Sequence, residues 1–186
     1  VQPYIIKKIN GLKIAVIGMT YHWMSKVAHH PQWLFGLRTE EIQQDIDHLK
    51  IHEKVDLVIM LSHMGWKVDA RYAELVNGLD VIVGAHTHDI LYRPTLVHNK
   101  KSNRSVLVVQ SGSHGKMLGQ LDLRVENKRI TSFTQTLFPI RTQEISPDPD
   151  IQALIKKLRE PYKAELERVI GITTTLLYRQ GTWQST

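Results

Sequence analysis

Two short, almost wholly apolar runs stand out along the chain: Val55-Asp56-Leu57-Val58-Ile59-Met60 and Leu79-Asp80-Val81-Ile82-Val83. Runs of this length without polar alternation predict strands buried on both faces, as in a parallel sheet. Between them Ala70, Ala73 and Val76 recur on one side of a predicted helix, with Asp69 as its N-cap and Asn77-Gly78 as its stop. Strand, helix, strand predicts a right-handed crossover that leaves both strand ends on one edge of the sheet.

The remaining pattern extends this α/β reading. Residues 4–9 and 13–18 predict two strands joined by Asn10-Gly11, a strong hairpin signal. Ile14-Ala15-Val16-Ile17 is apolar on both faces, which places the second strand centrally. Residues 19–36 are irregular and rich in His, Trp and Pro, and connections of that length often carry function. Thr39 is the predicted cap of a helix that turns Ile42, Ile46 and Leu49 toward the sheet. A loop with Pro94 leads to a buried strand, Val106-Leu107-Val108-Val109-Gln110, and a tight turn at Gly112-Ser113-His114-Gly115. Residues 118–125 alternate, and Asn127-Lys128 turns them into a hairpin partner over 130–138. Ser146-Pro147-Asp148-Pro149-Asp150 is a stop and a cap. Ile151, Leu154, Ile155 and Leu158 then mark an amphipathic helix, interrupted at Pro161 and continued by Leu166, Val169 and Ile170 to Gly171.

Composition narrows the function classes. With 186 residues, 42% of them apolar and 23% charged, the chain suits a globular domain with a sizeable core. No apolar run approaches the ~20 residues that span a bilayer. Val1-Gln2-Pro3-Tyr4 is strand-like rather than the start of a signal peptide. The absence of cysteine excludes disulfides, zinc–thiolate sites and a cysteine nucleophile. The net charge of +6 is spread along the chain, with no basic stripe interleaved with aromatics. That argues against nucleic acid and for an anionic substrate or an acidic partner.

The candidate chemistry sits where the two apolar runs end. The first is followed by Leu61-Ser62-His63, the second by Gly84-Ala85-His86-Thr87-His88-Asp89. Ligands of open α/β sheets bind beyond the carboxyl ends of the strands. His86 and His88, alternating along an extended tip, are expected to share one face. Any one of these histidines alone reads as a strand cap; the set reads as a metal centre, since histidine is the commonest metal ligand.

At these residues the chain resembles the calcineurin-like metallophosphoesterases, in their 5'-nucleotidase-like branch. That branch has a strand ending in Ser-His-x-Gly, here Ser62-His63-Met64-Gly65. A second ends in Gly-x-His-[Ser/Thr]-His, here Gly84-Ala85-His86-Thr87-His88. Within the branch it looks like the SoxB-type thiosulfohydrolases of bacterial sulfur oxidation. The stretches that carry this likeness are Pro3-Tyr4-Ile5-Ile6-Lys7, Trp33-Leu34-Phe35-Gly36-Leu37-Arg38, His86-Thr87-His88-Asp89 and Leu176-Leu177-Tyr178-Arg179-Gln180-Gly181.

The resemblance implies an α/β fold, the second half of a two-sheet metallophosphoesterase sandwich flanked by helices. Residues 1–145 would form the C-terminal half of the catalytic domain, 146–171 a linker helix and 172–186 the start of a truncated C-terminal domain. It implies two divalent metal ions, manganese preferred and zinc suitable, with His63 and His86 on one and His88 on the other. Asp89 would stand behind His88, Gly84 would let the backbone pass the metals, and Arg179 would bind the substrate anion. No residue of this chain is assigned as catalytic. The family's Asp-x-His, bridging Asp and Gly-Asn-His-[Asp/Glu] motifs are absent, so the chain resembles an excised middle and is expected to be inactive alone. Its expected partners are the missing N-terminal half and C-terminal domain, and a sulfur carrier protein with a cysteine-bearing arm. The implied location is the periplasm. The implied activity is release of sulfate from cysteine-bound thiosulfonate. A 5'-nucleotidase-like phosphoesterase and a non-enzymatic truncated remnant are the alternatives. The chain departs from the family at Met19-Thr20-Tyr21-His22-Trp23-Met24 and at Gln180, where a basic residue is usual. His22, His29 and His30 are expected to form a wall, and His114 to be structural.

Overall fold

The computed structural model describes residues 3–27 and 35–175. The chain forms two units, residues 1–141 and 142–186. The first is built on a six-stranded sheet of β1 (Tyr4–Ile9), β2 (Leu12–Met19), β3 (Leu57–Ser62), β4 (Val81–Val83), β5 (Thr95–Asn99) and β6 (Arg104–Val109). Its order is β1-β2-β3-β4-β6-β5. The strands β2, β3, β4 and β6 run parallel, and β1 and β5 close the two edges antiparallel. This is the mixed α/β architecture expected.

The pleat explains the core. Ala15 and Ile17 of β2, Val58 and Met60 of β3, Ile82 of β4, and Val106 and Val108 of β6 belong to one buried cluster. A four-residue helix, α1 (Met24–Val27), lies inside the stretch expected to be irregular. The strand residues of the cluster meet Ile42, Ile46 and Leu49 of α2 (Thr39–Ile51) and Tyr72 and Ala73 of α3 (Trp66–Leu75). Successive strand residues point to opposite faces, so Leu57, Val81 and Leu107 lie on the other side of the sheet. There Leu61 and Val83, nearest the carboxyl edge, remain 50% and 39% exposed. A second, two-stranded antiparallel sheet follows, β7 (Met117–Glu126) with β8 (Arg129–Pro139). It is tied to the first by Lys128 Nζ to Asp56 Oδ1 at 3.0 Å and by the Gln135 amide donating to the Leu91 carbonyl at 2.5 Å. Asn10 and Gly11, and Asn127 and Lys128, all take the positive φ that tight hairpin turns demand.

Three local expectations are corrected. Arg38, not Thr39, is the N-cap of α2, in a left-handed conformation (φ 47, ψ 40). The Tyr72 hydroxyl holds the entry there, donating to the carbonyls of Leu37 at 2.8 Å and Arg38 at 3.3 Å. The segment after Pro94 is strand β5, which the five-residue pattern was too short to reveal. Its Asn99 amide donates to the carbonyls of Ala73 and Val76, closing the end of α3. In the second unit, α4 (Pro149–Arg159) is capped by Asp148, whose carboxylate accepts from the N–H groups of Asp150 and Ile151. Pro161 falls in a 3₁₀ turn (Glu160–Tyr162), and α5 (Lys163–Leu166) ends before Gly171. The β-branched Val169 and Ile170 lie beyond it. Ile151, Leu154, Ile155 and Leu158 are exposed. Among the described residues no helix is long and apolar enough to cross a membrane.

The Asp56 carboxylate also accepts from the Lys13 backbone N–H at 2.7 Å. That hydrogen bond, then the Lys128 ammonium, holds its pKa below the usual carboxylate range. A depressed pKa gives stability that is full above the unfolded value of 3.8 and is lost as pH falls through the folded one. Asp56→Asn should therefore lower unfolding stability by roughly 1.5 kcal/mol at pH 7. In urea titrations the difference should shrink as pH falls below 3.8 and through the lower pKa of the folded state, where the wild-type carboxyl is itself protonated.

Candidate metal centre

Parallel pairing sets Leu61 of β3 beside Val83 of β4. The chain leaves β3 after Ser62 and β4 after Val83, so His63 and His86 emerge from neighbouring strands at one edge. Their rings lie 5.1 Å apart, centre to centre, at 63°. From the end of β2, Tyr21 lays its ring 4.1 Å from that of His86, with His22 edge-on to Tyr21 at 5.2 Å. His88 meets a different partner, His114 from the loop after β6, at 5.3 Å and 76°. The loops of all four parallel strands thus contribute rings to one edge.

The tip carrying His86 and His88 is not extended, and each ring meets a different histidine. Both residues have left-handed backbone, φ 80 and φ 62. For a non-glycine residue such a conformation costs about 1–3 kcal/mol and persists only where the surroundings impose it. At His88 the buried Gln110 side chain supports it. With its amide oxygen turned to the loop, it accepts from the N–H groups of His88 and Asp89, both at 2.9 Å. One acceptor gathering two consecutive donors curls the chain. His86 then faces His63 while His88 faces His114.

Asp69 is not the cap of α3. Gly65 is, with φ 96, and the helix begins at Trp66. Asp69 lies in the first turn, with no solvent exposure, beneath the histidine loops. The Ser62 hydroxyl donates to its Oδ1 at 2.5 Å and accepts from the Met64 N–H at 3.1 Å. Oδ2 has no hydrogen-bond partner among the described residues. Burial, partly offset by Ser62, raises the Asp69 pKa from 3.8 to about 6. A Cβ at Gly84 would fall 2.5 Å from Oδ2, so the close passage that this glycine permits is past the Asp69 carboxylate. The two histidine loops are also joined through Thr87, whose Oγ1 accepts from the Trp66 N–H at 3.3 Å.

Asp89 serves through its main chain, its N–H on Gln110 and its carbonyl accepting from the Gly112 N–H at 2.8 Å. Arg179, Leu176 to Gly181, His29, His30 and Trp33-Leu34 lie outside the described residues. Sequence reasoning passed over Gln110 and the buried role of Asp69. The second had a signal: an acid at 69 shares the helix face of the apolar 72, 73 and 76.

The donor set suits a divalent ion. Burial first, then His63, His88 and His22, hold the His86 imidazole below the usual histidine range. It is therefore neutral near pH 7, the form that ligates metal. The rings of His63, His88 and His114 are on exposed residues. Among the described residues, however, no three His, Cys, Asp or Glu side chains form a metal-ligating group. The chain offers imidazoles in pairs, and an ion at either pair needs further ligands.

No family model matches the chain. Its curated relatives include the 5'-nucleotidase of Diplobatis ommata, 29% identical over 97% of this chain and 33% of that protein. Among solved structures, a 5'-nucleotidase precursor from Thermus thermophilus superposes with a TM-score of 0.80, at 24% identity, over 91% of this chain and 36% of that one. The sulfate thiohydrolase SoxB of Thermus thermophilus, solved with glycerol, superposes with a TM-score of 0.75, at 26% identity, over 87% and 29%. The relatives and structural neighbours are thus 5'-nucleotidase-like phosphoesterases, with SoxB among them. The chain spans 12–39% of the length of the curated relatives it matches.

The raised pKa of Asp69 has a measurable sign. Its contribution to stability is complete below pH 3.8 and is lost as pH rises toward about 6, because the folded state then holds a buried carboxylate. Asp69→Asn keeps an acceptor for Ser62 and removes the charge. It should stabilise the protein by on the order of 3 kcal/mol at pH 8, and by little at pH 4, in urea unfolding.

Proposed function

We propose that the chain is the histidine-bearing part of a dinuclear-metal hydrolase acting on a tetrahedral anion. The observation that carries this reading is the meeting of His63 and His86 at 5.1 Å, with His88 on the same loop as His86. His63 and His86 would hold one ion and His88 the other. Manganese or zinc suits ligands that are nitrogen and oxygen without sulfur. Such ions supply Lewis-acid polarisation of the anion and a hydroxide nucleophile near neutral pH.

The chain's own residues do the positioning. Gln110 braces the loop that carries His88 through its backbone. Ser62 and Asp69 brace the loop that carries His63. Tyr21 covers one side of His86 and limits water there. The ligands still needed are a bridging carboxylate and an amide or carboxylate oxygen from another polypeptide segment.

For the substrate, we infer thiosulfonate carried on the cysteine arm of a partner protein, in the periplasm. The stretches shared with thiosulfohydrolases support this, as does the 26% identity to the solved SoxB. Tyr21, His22 and Trp23 would form one wall of the channel that admits the arm. A second reading, hydrolysis of nucleotide phosphomonoesters, is favoured by curated relatives that are 5'-nucleotidases. Under a third, the chain has no catalytic role.

The chain alone, with manganese, should turn over neither carrier-bound thiosulfonate nor AMP. Adding a polypeptide that carries a bridging aspartate and the Gly-Asn-His motif should restore sulfate release. His63→Ala in the restored pair should lower it by ~100-fold or more. Restored AMP hydrolysis with no action on the carrier would select the nucleotidase reading. Turnover by the chain alone would contradict an incomplete site, and no turnover in any mixture would favour the third reading.

A further inference from the structure

His114 belongs to no motif by which the chain was read, yet the fold delivers it to the histidine edge. It sits in the loop after β6, the parallel neighbour of β4. That loop is fastened to the histidine loop after β4 at three points. Gln110 binds the N–H groups of His88 and Asp89, the Gly112 N–H donates to the Asp89 carbonyl, and Ile90 bridges Ser111. The His114 ring therefore comes within 5.3 Å of the His88 ring, nearly the separation of His63 and His86.

Two features go beyond a packing contact. His114 is held at φ 60 between Gly112 at φ 77 and Gly115 at φ 66. The turn thus carries a histidine where Asn or Gly would adopt the same φ more readily. Its Nδ1 lies 2.7 Å from the Ser113 hydroxyl. That contact orients the ring through Nδ1, and among the described residues no hydrogen-bond partner is turned toward Nε2. One ring nitrogen anchored by hydrogen bonding and the other free is how protein surroundings orient a ligating histidine. Both rings belong to exposed residues, open to an ion.

We propose that His114 is a metal ligand, sharing with His88 the ion that His63 and His86 do not hold. The edge then carries two imidazole pairs, one for each ion. This rests on the metal reading given under the proposed function and adds a ligand to it. The chemistry that suits the His88–His114 position is a borderline divalent ion of the first transition row, bound through nitrogen.

Copper(II), which binds imidazole tightly among first-row divalent ions, is the probe. It is titrated into the 186-residue chain while the ring resonances of each histidine are followed by NMR. His88 and His114 should broaden together at one copper concentration. In His114→Ala the concentration that broadens His88 should rise by at least ~10-fold, while His63 and His86 respond as before. His114→Gly should behave the same way. It is the second variant because glycine adopts the turn's φ without strain. An unchanged His88 response in both variants would overturn the proposal and leave the metal reading standing. If neither His63, His86 nor His88 responds in the wild-type chain, the metal reading falls and this proposal with it.

Discussion

The parallel register of β3 and β4 is the constraint on which the histidine edge depends. With Leu61 beside Val83, two short loops leave the sheet at one level and their histidines meet. A slip of one residue would turn every side chain of β4 to the opposite face. With only Val81, Ile82 and Val83 in that strand, the register is held by burial: Val81 and Ile82 are almost wholly enclosed. Asp80 adds a polar lock, its Oδ2 accepting from the Val58 N–H at 2.8 Å and from the Lys50 ammonium at 3.2 Å. The strand that positions His86 and His88 is thus fixed by packing on both sides and by an ion pair at its start.

Above the sheet, stability gives way to geometry. His86, His88 and His114 all carry left-handed backbone, and Asp69 lies buried with one oxygen unpartnered. Each feature is unfavourable by itself. Together they hold four rings at one edge while leaving three of them open to solvent. Gln110 and Asp69 are the supports of this arrangement, one acting on the β4 loop and one on the β3 loop. Gln110 acts on the backbone N–H groups of His88 and Asp89, and Asp69 acts through Ser62 on the loop that carries His63.

How far the sequence could be read follows from the same physics. The apolar runs at 57–60 and 79–83, the Asn10-Gly11 turn and the spacing of Ile42, Ile46 and Leu49 are local signals, and they led to the sheet, its hairpin and α2. The histidine edge was legible because two strands end in His within a crossover whose handedness is fixed. The curl of the tip was not legible, because it depends on Gln110, distant in sequence and unremarkable at the end of a strand. The pairing of His88 with His114 was hidden for the same reason. Asp69 was read as a cap because acids favour helix starts; that it lies beneath Gly84 is a tertiary fact. The β5 strand escaped because its alternation is short and its stability comes from pairing with β6.

The central claim is that His63 and His86 hold one ion together. Calorimetric titration of zinc into the chain and into His63→Ala, His86→Ala and the double variant tests it most directly. If the two rings share an ion, either single substitution abolishes that binding event and the double variant loses nothing more, a fully non-additive cycle. Losses that add, or single variants that bind zinc as the wild type does, would contradict the account.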